Sequence, residues 1–360
     1  MTSRRITPGA WAALAAVLAA LVIGVLAVMS IQDTTPQGGS PPPAGTDGTG
    51  DRPAPTAGAG VPAVPADCPP ATVTVATAAE LAAALAAPAP GTVIHLADGT
   101  YLGNFRATGA GTAGQPITLC GGPGAVLDGG GVEEGYVLHV EQASYWVVQG
   151  FTVRNGQKGV MADETDHSVF QGLTIENVGD EGIHLRKFSS DNKVTGNTIR
   201  GAGLRKPKFG EGIYIGTAES NWCDVTSCEP DKSDRNEIRG NTVSNTTAES
   251  VDIKEGTSAG VLAGNVFDGT GMTEADSWVD VKGRGWQIEA NSGRNSPQDG
   301  FQTHEIIDGW GTDNVFRGNV AEVNGPGLGY SLKPARDNIV DCSNTASQAG
   351  QGLSNITCTS

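Results

Sequence analysis

Aromatic side chains make up only 5% of the 360 residues, and Lys plus Arg number 23 against 39 Asp plus Glu. The resulting net charge of −16 excludes nucleic acid as a bulk partner, because no domain carries the basic surface that a phosphate backbone requires. None of the six cysteines stands in C-x-x-C spacing, so a zinc site is not expected. The five histidines never occur as H-x-H and no methionine cluster accompanies them, which removes a copper centre. Helical periodicity is also scarce, which excludes leucine-rich and TPR-type repeats.

The N-terminus reads as an export segment. Arg4 and Arg5 precede a charge-free run from Ile6 to Ile31 that is long enough to span a bilayer as a helix. The arginines would stay inside and the rest of the chain would go out. A cleaved signal peptide is the rival, and the twin arginines point toward the Tat route. Residues 1–31 are therefore expected to be a signal anchor that attaches the protein to the membrane at the cell surface. Residues 32–67, rich in Pro, Gly, Ala and Thr, cannot bury enough apolar surface to fold and read as a disordered linker. Outside the cell the even set of cysteines should form disulfides. Proximity pairs Cys223 with Cys228 and Cys342 with Cys358, leaving Cys68 with Cys120.

Residues 68–360 are Gly- and Asn-rich with short Val/Ile pieces, and they repeat. "GFTVRN" at Gly150 recurs in variant form at Gly172, Gly196, Gly240, Gly264, Ala290 and Gly318, with gaps of 22, 24, 44, 24, 26 and 28 residues. A period near 24 with short β pieces and Gly or Asn between them predicts an all-β solenoid, a right-handed parallel β-helix. Its coils would stack about 4.8 Å apart. Asparagines at the turns would ladder from coil to coil. The long gap holds a loop stapled by Cys223–Cys228. "TAAELAAALAA", from Thr77 to Ala87, is the one clear helix, with Thr77 and Glu80 as a capping box and Leu81 and Leu85 on one face. It should cap the N-terminal end of the stack. The domain is expected to be monomeric.

Period-2 alternation sorts one strand of each coil into two faces. Val160/Ala162, Ile183/Leu185, Ile213/Ile215, Val251/Ile253, Val279/Val281 and Phe301/Thr303 face inward. Three outer columns remain. Lys158, Glu181, Glu211, Glu249, Ser277 and Asp299 form the first. Met161, His184, Tyr214, Asp252, Asp280 and Gln302 form the second. Asp163, Arg186, Gly216, Lys254, Lys282 and His304 form the third. A polar outer face alone could be mere solvation, but like charges stacked on successive coils repel unless something holds them. A hard cation such as Ca²⁺ would do so, with Glu211, Glu249, Asp252 and Asp280 as oxygen ligands. Carboxylates, a cation and a lysine together suit β-elimination of an acidic polysaccharide. The cation neutralises a uronate carboxylate and acidifies the C5 proton, and a lysine removes it. Lys254 would be the base, partly neutral because Lys282 and the cation lower its pKa. Lys158, Arg186, His184, Tyr214, Gln302, His304 and Trp278 would bind the chain.

From about Thr72 onward the sequence resembles the parallel β-helix polysaccharide lyases, the superfamily of pectate lyases, alginate lyases and chondroitinase B. "GTVIHLADGTYLGNF", "GTAGQPITLCG" and "AVLDGGG" carry the resemblance to their N-terminal coils. It implies Lys254 as base, Arg284 or Lys282 as a second cation steadying the intermediate, and acidic neighbours holding calcium. The dense Asp cluster of family-nine pectate lyases and the full alginate-lyase lysine motif are absent. The polygalacturonase motifs "NTD", "DD" and "GHG" are absent too, which disfavours a hydrolase with paired aspartates. A C5-epimerase would use the same proton abstraction. A non-catalytic carbohydrate-binding module would instead rely on Trp222, Trp278, Trp286, Trp310 and Tyr214, and would need no lysine beside carboxylates.

Overall fold

The computed structural model describes residues 67–360. The expected anchor, and all but the last residue of the expected linker, lie outside the described residues. Among the described residues no helix is long and apolar enough to cross a membrane.

Short strands of two to six residues wind into a right-handed parallel β-helix. Successive coils pair in parallel and build three sheets of eleven, ten and ten strands. One coil illustrates the pattern, with strands at Trp146–Gln149, Thr152–Arg154 and Lys158–Asp163, one in each sheet. Inward positions stack into apolar columns. Val148, Phe170, Val194, Ile238, Leu262, Ile288, Phe316 and Val340 follow one another in register and are fully buried. The predicted inward set of the site-bearing sheet, from Val160 to Thr303, is likewise buried.

The repeated Gly-Asn dipeptide has two separate jobs. Gly196, Gly240, Gly264 and Gly318 adopt φ between 61° and 64°, a left-handed turn that a Cβ disfavours. The asparagine that follows points inward and ladders. The backbone N–H of Asn197 donates to Oδ1 of Asn241 at 2.9 Å, and the same bond links Asn241 to Asn265, Asn265 to Asn291, Asn291 to Asn319 and Asn319 to Asn344. The buried backbone at each corner is thereby satisfied without water.

The helix Ala78–Leu85 starts from the expected capping box, with Leu81 and Leu85 in the core beside the first coil. All three disulfides pair as proximity suggests: Cys68–Cys120, Cys223–Cys228 and Cys342–Cys358. The long gap in the repeat contains two insertions. One is Leu204–Phe209. The other runs from Thr217 to Asp234, includes a short helix at Trp222–Val225, and carries Cys223–Cys228. Fully buried Asp231 pins the second insertion. Its carboxylate accepts from the N–H groups of Lys187 at 3.0 Å and Phe188 at 2.8 Å, and from the hydroxyls of Thr217 at 2.7 Å and Ser233 at 2.8 Å.

Candidate active site

The second outer column forms as the alternation predicts. Met161, His184, Tyr214, Asp252, Asp280 and Gln302 are direct neighbours on six successive strands. These residues lie outside the coil yet are not exposed. Met161, His184, Asp252, Asp280 and Gln302 are all buried, packed on one another and against the outer loops. The face is therefore a poorly hydrated polar layer rather than a solvated one.

Charge pairing organises this layer. Asp252 sits between two lysines, with Lys254 Nζ 2.5 Å from one oxygen and Lys282 Nζ 2.8 Å from the other. Lys282 also reaches Asp280 at 2.7 Å, and His304 Nδ1 holds the second Asp280 oxygen at 2.8 Å. Lys254 Nζ lies 5.0 Å above the Tyr214 ring, and His184 meets the same ring edge-on at 4.3 Å. His184 Nε2 donates to the Gly216 carbonyl at 2.9 Å, and burial holds the ring neutral.

Three of the four expected metal ligands meet. Glu211, Glu249 and Asp252 place one carboxylate oxygen each within 4.8 Å of one another. Burial, then the charges of Glu181, Asp252 and Glu249, pushes the Glu211 carboxyl well above the usual range. Glu249 is pushed up to about 7 by burial and by Asp252. Glu211 is 5% exposed, and its Oε2 has no hydrogen-bond partner. A buried carboxylate oxygen with no donor, facing two further carboxylates, fits a hard divalent cation. Asp280 does not join the trio: no oxygen of it falls within that distance of the other three carboxylates, and it pairs instead with Lys282 and His304.

Beside Tyr214 a cleft of about 320 Å³ runs between the sheet and the two insertions. Lys158, His184 and Arg186 lie on its sheet side, with Arg205, Phe209, Asn221 and Asp224 from the insertions. Its cations are already matched: Lys158 with Glu181 at 2.6 Å, Arg186 with Asp163 at 2.7 Å, and Arg205 with Asp180. Arg205 and Phe209 are absent from the sequence-based set. Their signal is "RKPKF", a basic cluster inside the long gap of a strongly acidic chain.

Three expectations are corrected. Trp278 is no sugar platform. It is 0% exposed, edge-on to Phe301 at 5.8 Å in the core, with its indole N–H donating to the Arg294 carbonyl at 2.9 Å. It turns inward at the position that Ser250 and Gly300 hold on the adjacent coils and Gly182 and Gly212 on earlier ones, and Gly293 leaves room for it. Arg284 stands apart from the cluster, 58% exposed and paired with Asp313 at 2.6 Å, because the chain turns away between Gly283 and Gly285. Lys254 is not depressed by Lys282. Burial lowers its pKa, but Asp252 in contact outweighs burial and holds the ammonium. Two of the other expected stacking residues fare like Trp278: Trp286 is fully buried, and Trp222 is 8% exposed and donates to the Thr217 carbonyl. Trp310 and Tyr214 are half-buried. Gln302 is buried, donating to Asp299 at 2.9 Å.

Residues 133–233 match the family model described as a right-handed β-helix region. An alginate lyase from Paenibacillus sp. str. FPU-7 superposes with a TM-score of 0.73 at 35% identity, over 80% of this chain and 100% of that one. Pectate lyase PEL9 of Emericella nidulans is 26% identical over 182 residues, which are 45% of this chain and 41% of that relative. The match therefore spans less than half of that relative's length.

Proposed function

The chain belongs to the right-handed parallel β-helix polysaccharide lyases, and from that premise we propose that it cleaves an acidic, uronate-containing polysaccharide by β-elimination on the face around Tyr214, Lys254 and Lys282. One observation carries the reading. Two lysines, one buried and one half-buried, and a phenol converge with three carboxylates on adjacent coils, an arrangement that a sugar-binding surface does not require.

The reaction moves one proton off C5, forms the C4–C5 double bond, breaks the C4–O bond and returns a proton to the departing oxygen. Lys254, as the amine, takes the C5 proton. Tyr214 lies beneath Lys254 and keeps its phenolic proton, because burial and the charges of Asp252 and Glu211 disfavour the phenolate. It is placed to protonate the leaving oxygen. Lys282, held as the ammonium, steadies negative charge on the uronate carboxylate as C5 loses its proton. His184, fixed by its bond to Gly216, sets the Tyr214 ring. Glu211, Glu249 and Asp252 would hold Ca²⁺, whose charge offsets the uronate carboxylate and the anionic field that keeps Lys254 protonated. Three disulfides suit an exported protein working outside the cell. Tethering by Ile6–Ile31 belongs to the same proposal.

The test is ultraviolet absorbance of the unsaturated uronate product. The full chain is incubated with alginate, pectate, glucuronan or dermatan sulfate, with Ca²⁺ or with chelator, beside Lys254→Ala. A Ca²⁺-dependent rise on one polymer, lost in the variant, is expected. No rise on any polymer overturns the proposal and leaves an epimerase or a binding module.

A further inference from the structure

Positive charge is scarce in this chain, and almost all of it is spoken for. Among the described residues, Lys206, Lys208, Lys232 and Lys333 are the only lysines or arginines with no carboxylate within 4 Å. Two of these share one exposed loop, Leu204–Phe209, at the rim of the cleft.

The loop is built rather than loose. The N–H groups of Arg205 and Lys206 donate to the Gly179 carbonyl at 2.8 and 3.2 Å, and that of Leu204 donates to Val178 at 3.1 Å. The Thr247 hydroxyl donates to the Pro207 carbonyl at 2.6 Å. Its neck is closed by Gly203 and Gly210, whose backbones pass so near that a Cβ on Gly210 would lie 2.6 Å from the Gly203 Cα. Phe209 lines the cleft, and its ring is flanked by both ammonium groups, Lys206 at 5.6 Å and Lys208 at 4.8 Å from the centroid. Arg205, Lys206 and Lys208 also surround a hollow of about 300 Å³ whose one acidic neighbour is Glu274.

We propose that this loop is an anion-gripping lip that holds the polyanionic glycan outside the cleavage site. The inference rests on the functional reading above. Two uncompensated ammonium groups, oriented by an aromatic ring and continuous with the cleft, complement the carboxylates of sugars beyond the reacting one. The lip touches no reacting atom, so it contributes binding of long chains and no chemistry. Exposed ion pairs of this kind are individually weak and screened by salt.

The experiment compares wild type, Lys206→Ser/Lys208→Ser and the charge-retaining Lys206→Arg/Lys208→Arg on the polymer that wild type cleaves and on its trisaccharide. For the Ser pair, KM on polymer should rise roughly fivefold at low salt, with kcat unchanged. The rise should vanish at high salt and on the trisaccharide, and the Arg pair should behave as wild type. An unchanged KM on polymer, or an equal rise on the trisaccharide, overturns the lip. Affinity electrophoresis through a polyuronate gel tests it without turnover, and so separates its failure from failure of the lyase reading. Retardation lost in the Ser pair supports the lip, whereas equal migration, or a lysine-dependent preference for anionic phospholipid vesicles, overturns it.

Discussion

Replacing Lys282 with methionine removes a charge that serves two carboxylates, and the surrounding pairs set the cost. Breaking one side of a buried ion pair usually costs about 3–5 kcal/mol, because a charge is left without a partner. Here Asp252 keeps Lys254 at 2.5 Å and Asp280 keeps His304 at 2.8 Å, so neither carboxylate is orphaned while His304 is protonated. The expected loss near pH 6 is therefore smaller, about 2–3 kcal/mol. The bond to Asp280 raises the His304 pKa against the opposing effect of burial. A raised histidine contributes stability that is fully present below its unfolded value of about 6.5 and is lost as pH climbs through its folded value. Above that point Asp280 in the variant has no cation, whereas in the wild type it still has Lys282. The penalty of Lys282→Met should thus widen to about 3–5 kcal/mol by about pH 9. Urea unfolding of the full chain in chelator, followed by tryptophan fluorescence at both pH values, measures this. The double variant Lys282→Met/Asp280→Asn should recover the pH-dependent part. A penalty that is the same at both pH values, or a double variant no better than the single one at high pH, refutes the reasoning.

Other outcomes follow from the same geometry. Glu211→Gln should leave stability in chelator nearly unchanged or slightly higher, yet abolish the stabilisation that Ca²⁺ gives the wild type, about 2.7 kcal/mol at a hundredfold excess over Kd, read as a rise in Tm. Asn241→Ala removes the acceptor for the Asn197 N–H and should cost about 2–3 kcal/mol in urea unfolding. Gly293→Val puts a Cβ 2.4 Å from Trp278 Cε3 and should cost about 3 kcal/mol. In a Trp278→Ala background the same change should cost far less, a non-additivity visible in a double-mutant cycle. Burial raises the Asp163 carboxyl, but its bonds to His139 and Arg186 outweigh burial and hold it below the usual range. The stability it contributes is present above about pH 4 and lost as pH falls, so Asp163→Asn should flatten the acid limb of the stability curve.

The carboxylate trio and the six-residue column were readable before any coordinates because they depend only on strand alternation and coil spacing. Once Val251 and Ile253 face inward, Asp252 must face outward, and the repeat places Tyr214 and Asp280 beside it. Trp278 escaped the same logic because Trp278 and Val279, successive residues of one strand, both lie in the core, against simple alternation. Arg205 and Phe209 escaped it because insertions have no repeat to align them. The protonation of Lys254 was misjudged because spacing gives neighbours but not contact distances. A carboxylate at 2.5 Å outweighs a like charge on the next coil.

Sequence by itself determined the solenoid, its period, its asparagine ladders, its disulfides and the order of residues along each face, since all of these are one-dimensional repeats of local conformation. Only tertiary structure decided which outward residues are covered, which ions are partnered and where a free ammonium remains. Those outcomes depend on how two insertions fold back over the sheet, and burial changes the worth of every charge beneath them.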